Sequence, residues 1–254
     1  MFKTFRTEES IILGKWTQGE LDRFLRESSQ IKDVGKRIEF LSRQFMNLDY
    51  EESTLIGDIN TPEVFVINLK GVDCFTYIDY IEAMRLSHSF SKFKVNLRKV
   101  RYKSGKVTFE NRNHFFTDWQ EFNSDFIQDI TKKIGKKTIR VQKRLNEKED
   151  GTYFLIGINP VQREIKYIPS DAIDDSIINK MRTGDYVGIY SKIKGLDVSH
   201  VGIVIKNGDK ICLRHASSQK KQRKVVDQDF KDYIFKKPGI IIFRPKAQNK
   251  NSML

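Results

Sequence analysis

Cysteine is scarce. The 254-residue chain has two, Cys74 and Cys212. A chain held by disulfides needs more, and pairing these two would consume a thiol that has another reading. With four histidines the chain offers no C-x-x-C or H-E-x-x-H spacing. Structural zinc is therefore not expected, and neither a metal nor an organic cofactor is called for. No apolar run approaches the roughly 18 residues of a membrane-spanning helix, so no transmembrane segment is expected. Met1-Phe2-Lys3-Thr4-Phe5-Arg6 lacks the continuous apolar stretch of a secretory signal. Either the protein is not exported by that route or a signal has been removed. Internal repeats and low-complexity linkers are absent too, which favours one compact domain over residues 1–254.

Negative charge is in deficit. Lys and Arg number 46 against 33 Asp and Glu, a net charge of +13. Such a surface attracts polyanions: nucleic acid, anionic lipid and an anionic cell wall all qualify. The basic stretches are Lys132 to Arg144 and Lys220-Lys221-Gln222-Arg223-Lys224. They motivate a nucleic-acid or anionic-surface binding module as a reading of another class. No recognition helix, zinc finger or RNA-binding signature accompanies them, so no specific nucleic acid partner is expected.

The periodicity predicts helix from about Thr17 to Phe45, interrupted at Val34-Gly35, giving a helical N-terminal portion over 1–48. Glu63 to Leu69 reads as a strand or an extended approach to Gly71. Asp73 is then a natural N-cap. Cys74, Tyr77, Ile78, Ile81 and Met84 fall on one face of the helix that follows, so Cys74 sits where that helix meets the core. A thiol at a helix N-terminus, with an imidazole nearby, is favoured as thiolate. The Ser104-Gly105 pair between Leu97–Lys103 and Lys106–Phe109 predicts a hairpin. Short strands follow at Thr138–Val141, Tyr153–Ile158 and Ile165–Ile168, then a helix over Ile173–Met181 and a sheet from Gly184 to Phe243, with a polar tail over 246–254. Arg112-Asn113-His114-Phe115-Phe116-Thr117-Asp118-Trp119 is rich in groups that recognise ligands, although a loop whose aromatics cover the core reads equally well.

Asn207-Gly208 between apolar runs predicts a two-residue turn. With Lys206 facing Asp209, His200 stands directly opposite His215 on one face, and Cys212 faces Ile203 on the other as an inert thiol. A loop longer by one would send the two histidines to opposite faces.

Asp73-Cys74 opening a helix, Ser199-His200-Val201-Gly202-Ile203 on a strand and His215-Ala216-Ser217 on the next resemble the NlpC/P60 papain-like cysteine peptidases. The Gly184-Asp185 pair before the histidine strand fits as well. From about Tyr50 to Phe243 the chain more closely resembles the DUF1460 branch, the N-acetylmuramoyl-L-alanine amidase-like proteins. Val66-Ile67-Asn68-Leu69, Val72 to Tyr77, Val100-Arg101-Tyr102 and Arg112-Asn113-His114 with Asp118-Trp119 carry that closer match.

The resemblance implies an α+β, papain-like fold: a central antiparallel sheet with the nucleophile helix packed on it, a core over 49–245 and a family-specific insertion at about 95–180. It implies an amidase cutting the bond between N-acetylmuramic acid and L-alanine in peptidoglycan fragments, its partners. Cys74 matches the nucleophile, His200 the base and His215 the polar third residue. Tyr50 matches a tyrosine near the oxyanion site, although Glu51-Glu52-Ser53 replace the glycines that usually follow it. Asp73 is an N-cap beside the nucleophile, or a contact to substrate. Arg112, Asn113 and Trp119 match the segment expected to recognise sugar or lactyl groups. An endopeptidase cutting γ-D-glutamyl-diaminopimelate is the alternative within the superfamily. An acyltransferase of the lecithin-retinol type would place His before Cys. Relatives of this kind are exported, so a periplasmic or extracellular location is implied; with no signal in this sequence, a cytoplasmic or non-classically secreted protein stays open.

Overall fold

The computed structural model describes residues 8–247 except Asp209. In chain order the elements are β1 (Glu9–Ile12), α1 (Gln18–Ser29), α2 (Val34–Arg43), β2 (Asp49–Tyr50), β3 (Phe65–Asn68), β4 (Gly71–Val72), α3 (Cys74–Arg85) and α4 (Phe90–Arg101). Then come α5 (Phe116–Phe122), β5 (Ile127–Asp129), α6 (Thr131–Ile134), β6 (Ile139–Leu145), β7 (Val161–Pro169) and α7 (Asp175–Lys180). The last are β8 (Tyr186–Tyr190), β9 (Val198–Asn207), β10 (Lys210–Ala216), β11 (Val225–Asp229), α8 (Phe230–Ile234) and β12 (Gly239–Pro245).

The expected α+β architecture with a central antiparallel sheet is present. Its strand order is β11-β10-β9-β8-β12-β7-β6, with β5 pairing β12. Alternate residues along the strands feed two cores. On one face Tyr186, Val201, Ile203 and Phe243 pack with Tyr77 and Ile81 of α3 and with side chains of α1, α2 and α4. On the other, Val187, Val204, Leu213 and Ile240 pack with Ile134 of α6, Ile177 of α7 and Phe230 and Ile234 of α8. Two short parallel pairs, β1 with β3 and β2 with β4, deliver the chain to α3.

Helix α3 is fixed at both ends. Asp73 Oδ1 accepts from the Phe75 and Thr76 N–H groups at 2.8 and 2.7 Å, and the Asp73 N–H donates to Thr76 Oγ1 at 3.0 Å. This capping box satisfies backbone donors that a helix start leaves free and makes Cys74 the first helical residue. At the other end Arg85 Nη1 donates to the Lys246 carbonyl at 3.2 Å. The apolar stripe understated the burial of this helix: every residue from Thr76 to Arg85 is buried, its charged groups included.

Several local expectations are corrected. The helical N-terminal portion breaks earlier than Val34-Gly35: α1 ends at Ser29, and Asp33 caps α2 by accepting from the Lys36 N–H, so Val34 and Gly35 open the second helix. The Leu97–Phe109 hairpin does not form. Phe90, Phe93, Leu97 and Val100 are the buried stripe of α4, and Ser104 and Gly105, both at positive φ, turn the chain after it. Tyr153–Ile158 is a loop outside the strands, and the preceding strand runs from Ile139 to Leu145. The Arg112–Trp119 segment leads into helix α5 rather than remaining a loop. In the tail, Lys246 is bonded, its N–H to the Phe126 carbonyl and its Nζ to the Ser124 carbonyl. The Met1–Arg6 reading and the tail from residue 248 lie outside the described residues.

The β9–β10 hairpin carries the most informative correction. Asn207 pairs with Lys210 and Lys206 with Ile211, so the turn starts one residue later than expected. Asp209, the expected partner of Lys206, lies outside the described residues. Cys212 faces Ile205 instead of Ile203. Every pairing moves by two residues, and an even shift preserves the faces. His200 and His215 therefore become diagonal neighbours on one face, still within reach of each other.

Candidate active site

The geometry begins with strand irregularity. His200 pairs with Ile189 and Val198 with Tyr190, leaving Ser199 as an extra residue in β9. A bulge bends the strand and re-aims the neighbouring side chain. Continuing the register brings Gly202 against His215. A Cβ on Gly202 would stand 2.8 Å from Leu213 Cδ1 and 3.0 Å from the Arg214 carbonyl oxygen, so the close approach of the two strands here requires glycine.

His200 Nε2 lies 2.7 Å from His215 Nδ1, and the rings meet edge to face at 4.8 Å between centroids. His215 Nε2 lies 2.7 Å from Gln228 Oε1. Tyr233 of α8 backs the pair, its ring centroid 6.1 Å from His200 and 5.0 Å from His215. His215 is buried, while His200 is partly exposed. Burial holds both imidazoles neutral. It pushes His200 down to about 3, with the charges of His215 and Lys237 adding to the effect, and it lowers His215 against the opposing pull of Gln228 and Asp227.

Cys74 and His200 line one cavity of about 240 Å³. Its walls are largely apolar, with Phe75, Phe115, Phe116, Phe154 and Leu196 among them, and His114 adds a further imidazole. The electrostatics of the site work against the expected thiolate. Burial, then the Asp73 charge, pushes the thiol up to about 12, against hydrogen bonds from the N–H groups of Val201, Cys74 and Phe75. Desolvation of the anion outweighs three backbone donors here, so the resting pair is neutral thiol and neutral imidazole.

The auxiliary residues divide. Tyr50 pairs with Val72 across β2 and β4, two residues before Cys74. Burial and the charges of Cys74 and Asp73 push its phenol up to about 12, so it remains an O–H donor. Asp73 is the N-cap, as expected.

The three residues expected to recognise substrate point elsewhere. Trp119 has no exposed surface, and its Nε1–H donates to Asp79 Oδ1 at 3.0 Å. Asn113 is buried and its Nδ2 donates to the Val100 carbonyl at 3.0 Å. The Arg112 guanidinium is held by both oxygens of Glu63 and by the Gly57 carbonyl. Trp119 and Asn113 are thus parts of the scaffold, and Arg112 is tied down by a buried carboxylate. Two neighbours of the histidines, Gln228 and Tyr233, escaped the sequence reading. Among the described residues no cluster of three or more metal-ligating side chains occurs.

The fold thus places a thiol and an imidazole on the walls of one largely apolar cavity, with a second histidine behind the imidazole. The comparisons give the family. The chain belongs to the N-acetylmuramoyl-L-alanine amidase-like (AmiA-like) family, whose model matches residues 40–240. Among solved structures it is similar to an N-acetylmuramoyl-L-alanine amidase from Bacteroides uniformis ATCC 8492, at 28% identity and a TM-score of 0.73, over 84% of this chain and 99% of that one. It also shares its fold with protein LPG0564 of Legionella pneumophila, of the DUF1460 family, at 24% identity and a TM-score of 0.74, over 88% and 93% of the two chains. None of the curated proteins matches.

Proposed function

We propose that this protein hydrolyses the N-acetylmuramoyl–L-alanine amide bond of peptidoglycan fragments, with Cys74 as nucleophile, His200 as base and His215 as orienting residue. The observation that carries the reading is the shared cavity: a thiol on the first turn of a capped helix and an imidazole on a bulged strand open onto the same space. Family membership supplies the bond. The cavity is smaller than the 300 Å³ and upward typical of whole-ligand sites. It suits one apolar substituent, such as the lactyl methyl and its neighbourhood, with the rest of the substrate lying outside.

With Nε2 committed to His215, His200 keeps Nδ1 for the thiol proton. Because the resting pair is neutral, proton transfer accompanies attack: Sγ–H breaks as the bond from sulfur to the carbonyl carbon forms. The Cys74 N–H, with Tyr50 as a further donor, faces the developing oxyanion. The His200 imidazolium then protonates the leaving alanine amine, and water hydrolyses the thioester. No step requires a metal or an organic cofactor. The arrangement is read as papain-like, in a single catalytic domain that works in the periplasm or outside the cell.

Incubation with defined muropeptides followed by mass spectrometry tests this. Free N-acetylmuramic acid, or its anhydro form, with the intact peptide is the expected result. Cleavage after γ-D-glutamate would replace the amidase by the endopeptidase reading. Absence of hydrolysis together with steeply salt-dependent nucleic acid binding would favour the basic binding module.

A further inference from the structure

We propose that Gln228 is a positioning residue that sets the direction of the histidine relay: its amide oxygen fixes which nitrogen of each imidazole carries the proton, leaving His200 a free lone pair at Nδ1. The proposal rests on the assignment of Cys74 and His200 above.

The argument is one of donor and acceptor bookkeeping. A neutral imidazole has one N–H and one bare nitrogen. Gln228 Oε1, 2.7 Å from His215 Nε2, can only accept, so Nε2 of His215 carries the proton. His215 Nδ1 is then bare and accepts from His200 Nε2–H at 2.7 Å. That leaves Nδ1 of His200 without a proton, the form a base requires. Two histidines alone would not decide this. Reversing both tautomers satisfies the same 2.7 Å contact and puts a proton on His200 Nδ1, where it opposes deprotonation of the thiol. The amide oxygen, seated 2.7 Å from His215 Nε2, breaks the tie.

The sheet explains why Gln228 occupies that place. β11 pairs with β10 antiparallel, His215 facing Val226, so Gln228 is one diagonal step from His215 on the same face. His200 is one diagonal step away on the other side. The relay thus crosses β9, β10 and β11 obliquely. The pair Arg214–Asp227, directly opposed, locks this register with two contacts of 2.7 Å. Gln228 also lines a polar cleft of about 440 Å³ with Gln219, Asp229, Tyr233 and Lys237. The charged and titratable groups around the relay are Asp227 and Asp229 on β11, Asp232 and Tyr233 on α8, Lys237 after it and Cys74 on α3.

During attack the Sγ–H bond breaks and a bond from His200 Nδ1 to hydrogen forms. The positive charge resides on His200, whose Nε2–H still donates to His215. His215 Nε2–H still donates to Gln228. No proton passes along the chain, which orients and polarises.

The test uses Gln228→Leu and Gln228→Glu in the full chain, with two readouts that need no peptidoglycan. Nitrogen-15 NMR of the ring nitrogens reports tautomers. The rate of Cys74 alkylation by iodoacetamide against pH reports the base. In the wild-type protein both rings are expected as the Nε2–H tautomer. In Gln228→Leu the Nδ1–H form of His215 appears, and alkylation near neutral pH slows by at least ~10-fold, a fraction of the 10²–10⁴ a positioned base contributes. Gln228→Glu keeps an acceptor, so the wild-type tautomers return. Its added negative charge favours imidazolium and moves the acidic limb of the alkylation profile to higher pH. A Gln228→Leu protein with unchanged tautomers and an unchanged alkylation profile overturns the proposal, as does a wild-type His215 protonated on Nδ1. Wild-type protein that shows the expected tautomers but leaves muropeptides uncut would remove the amidase reading and keep the relay.

Discussion

Two of the polar networks in this molecule are built from opposite materials. Around α3 the groups are charged and paired. Asp79 receives Arg101 Nε at 2.8 Å and Trp119 Nε1 at 3.0 Å, and Glu82 binds Arg85 and receives the Tyr186 hydroxyl at 2.8 Å. Along β9, β10 and β11 the groups are neutral, an imidazole pair ended by an amide. The charged network has one stable protonation state, because losing either charge strands the other in a medium that punishes it. The neutral network holds no fixed ion pair, so it can take up a proton during attack and return it without stranding a partner charge. The scaffold that holds Cys74 is rigid because it is ionic, and the relay facing it can act because it is not.

That contrast can be broken where each network is most committed. Cys74→Ala is expected to lower muropeptide hydrolysis by at least ~10³-fold while leaving the thermal midpoint close to wild type; retained turnover would end the thiol mechanism. Asp79→Asn should do the reverse. It leaves Arg101 uncompensated in the core and costs about 3–5 kcal/mol of stability, read by urea unfolding, with KM of the surviving enzyme unchanged. A smaller effect belongs to Trp119→Phe, which removes one buried N–H donor from Asp79: about 1–3 kcal/mol, again with KM preserved. A rise in KM without a stability change would restore Trp119 to substrate recognition.

A further effect is in pH. His200 and His114 are held down to about 3 and about 4, both by burial first. Below their unfolded value near 6.5 the unfolded chain therefore binds more protons, so stability is complete above that pH and falls as pH drops toward the folded values. Asp79, Asp118, Asp185 and Asp197, raised by burial, act in the opposite sense at lower pH. The thermal midpoint should fall between pH 7 and pH 5, and fall less in His114→Gln. An equal fall in both proteins would place the acid sensitivity elsewhere.

The sequence disclosed the groups that line the cavity more readily than their supports. Asp73-Cys74 was legible because a cap and an apolar stripe are local signals, satisfied within four residues. The histidine pair survived an error in the turn because strand faces depend only on whether the shift is even. The Leu97–Lys103 strand failed for a different reason. Its outward charges looked like alternation, while Arg101 is buried to meet Asp79, a contact 22 residues away along the chain. Trp119 and Asn113 were misread for the same reason. Chemically rich side chains look alike whether they serve a ligand or a buried carboxylate, and only the packing tells them apart. Gln228 carries no motif at all, since its importance depends on a register set two strands away.

The contact between Arg85 and the Lys246 carbonyl also bears on how the protein can be handled. The last strand runs between β8 and β7 and then reaches back to the C-terminal end of α3, so residues far apart in the gene share one mechanical clamp. Shortening the chain ahead of Lys246 would release the lower end of that helix while leaving every reacting group in place. A fusion partner or immobilisation tether is therefore better joined beyond this point, where strain on the linker is not passed along α3 to the thiol.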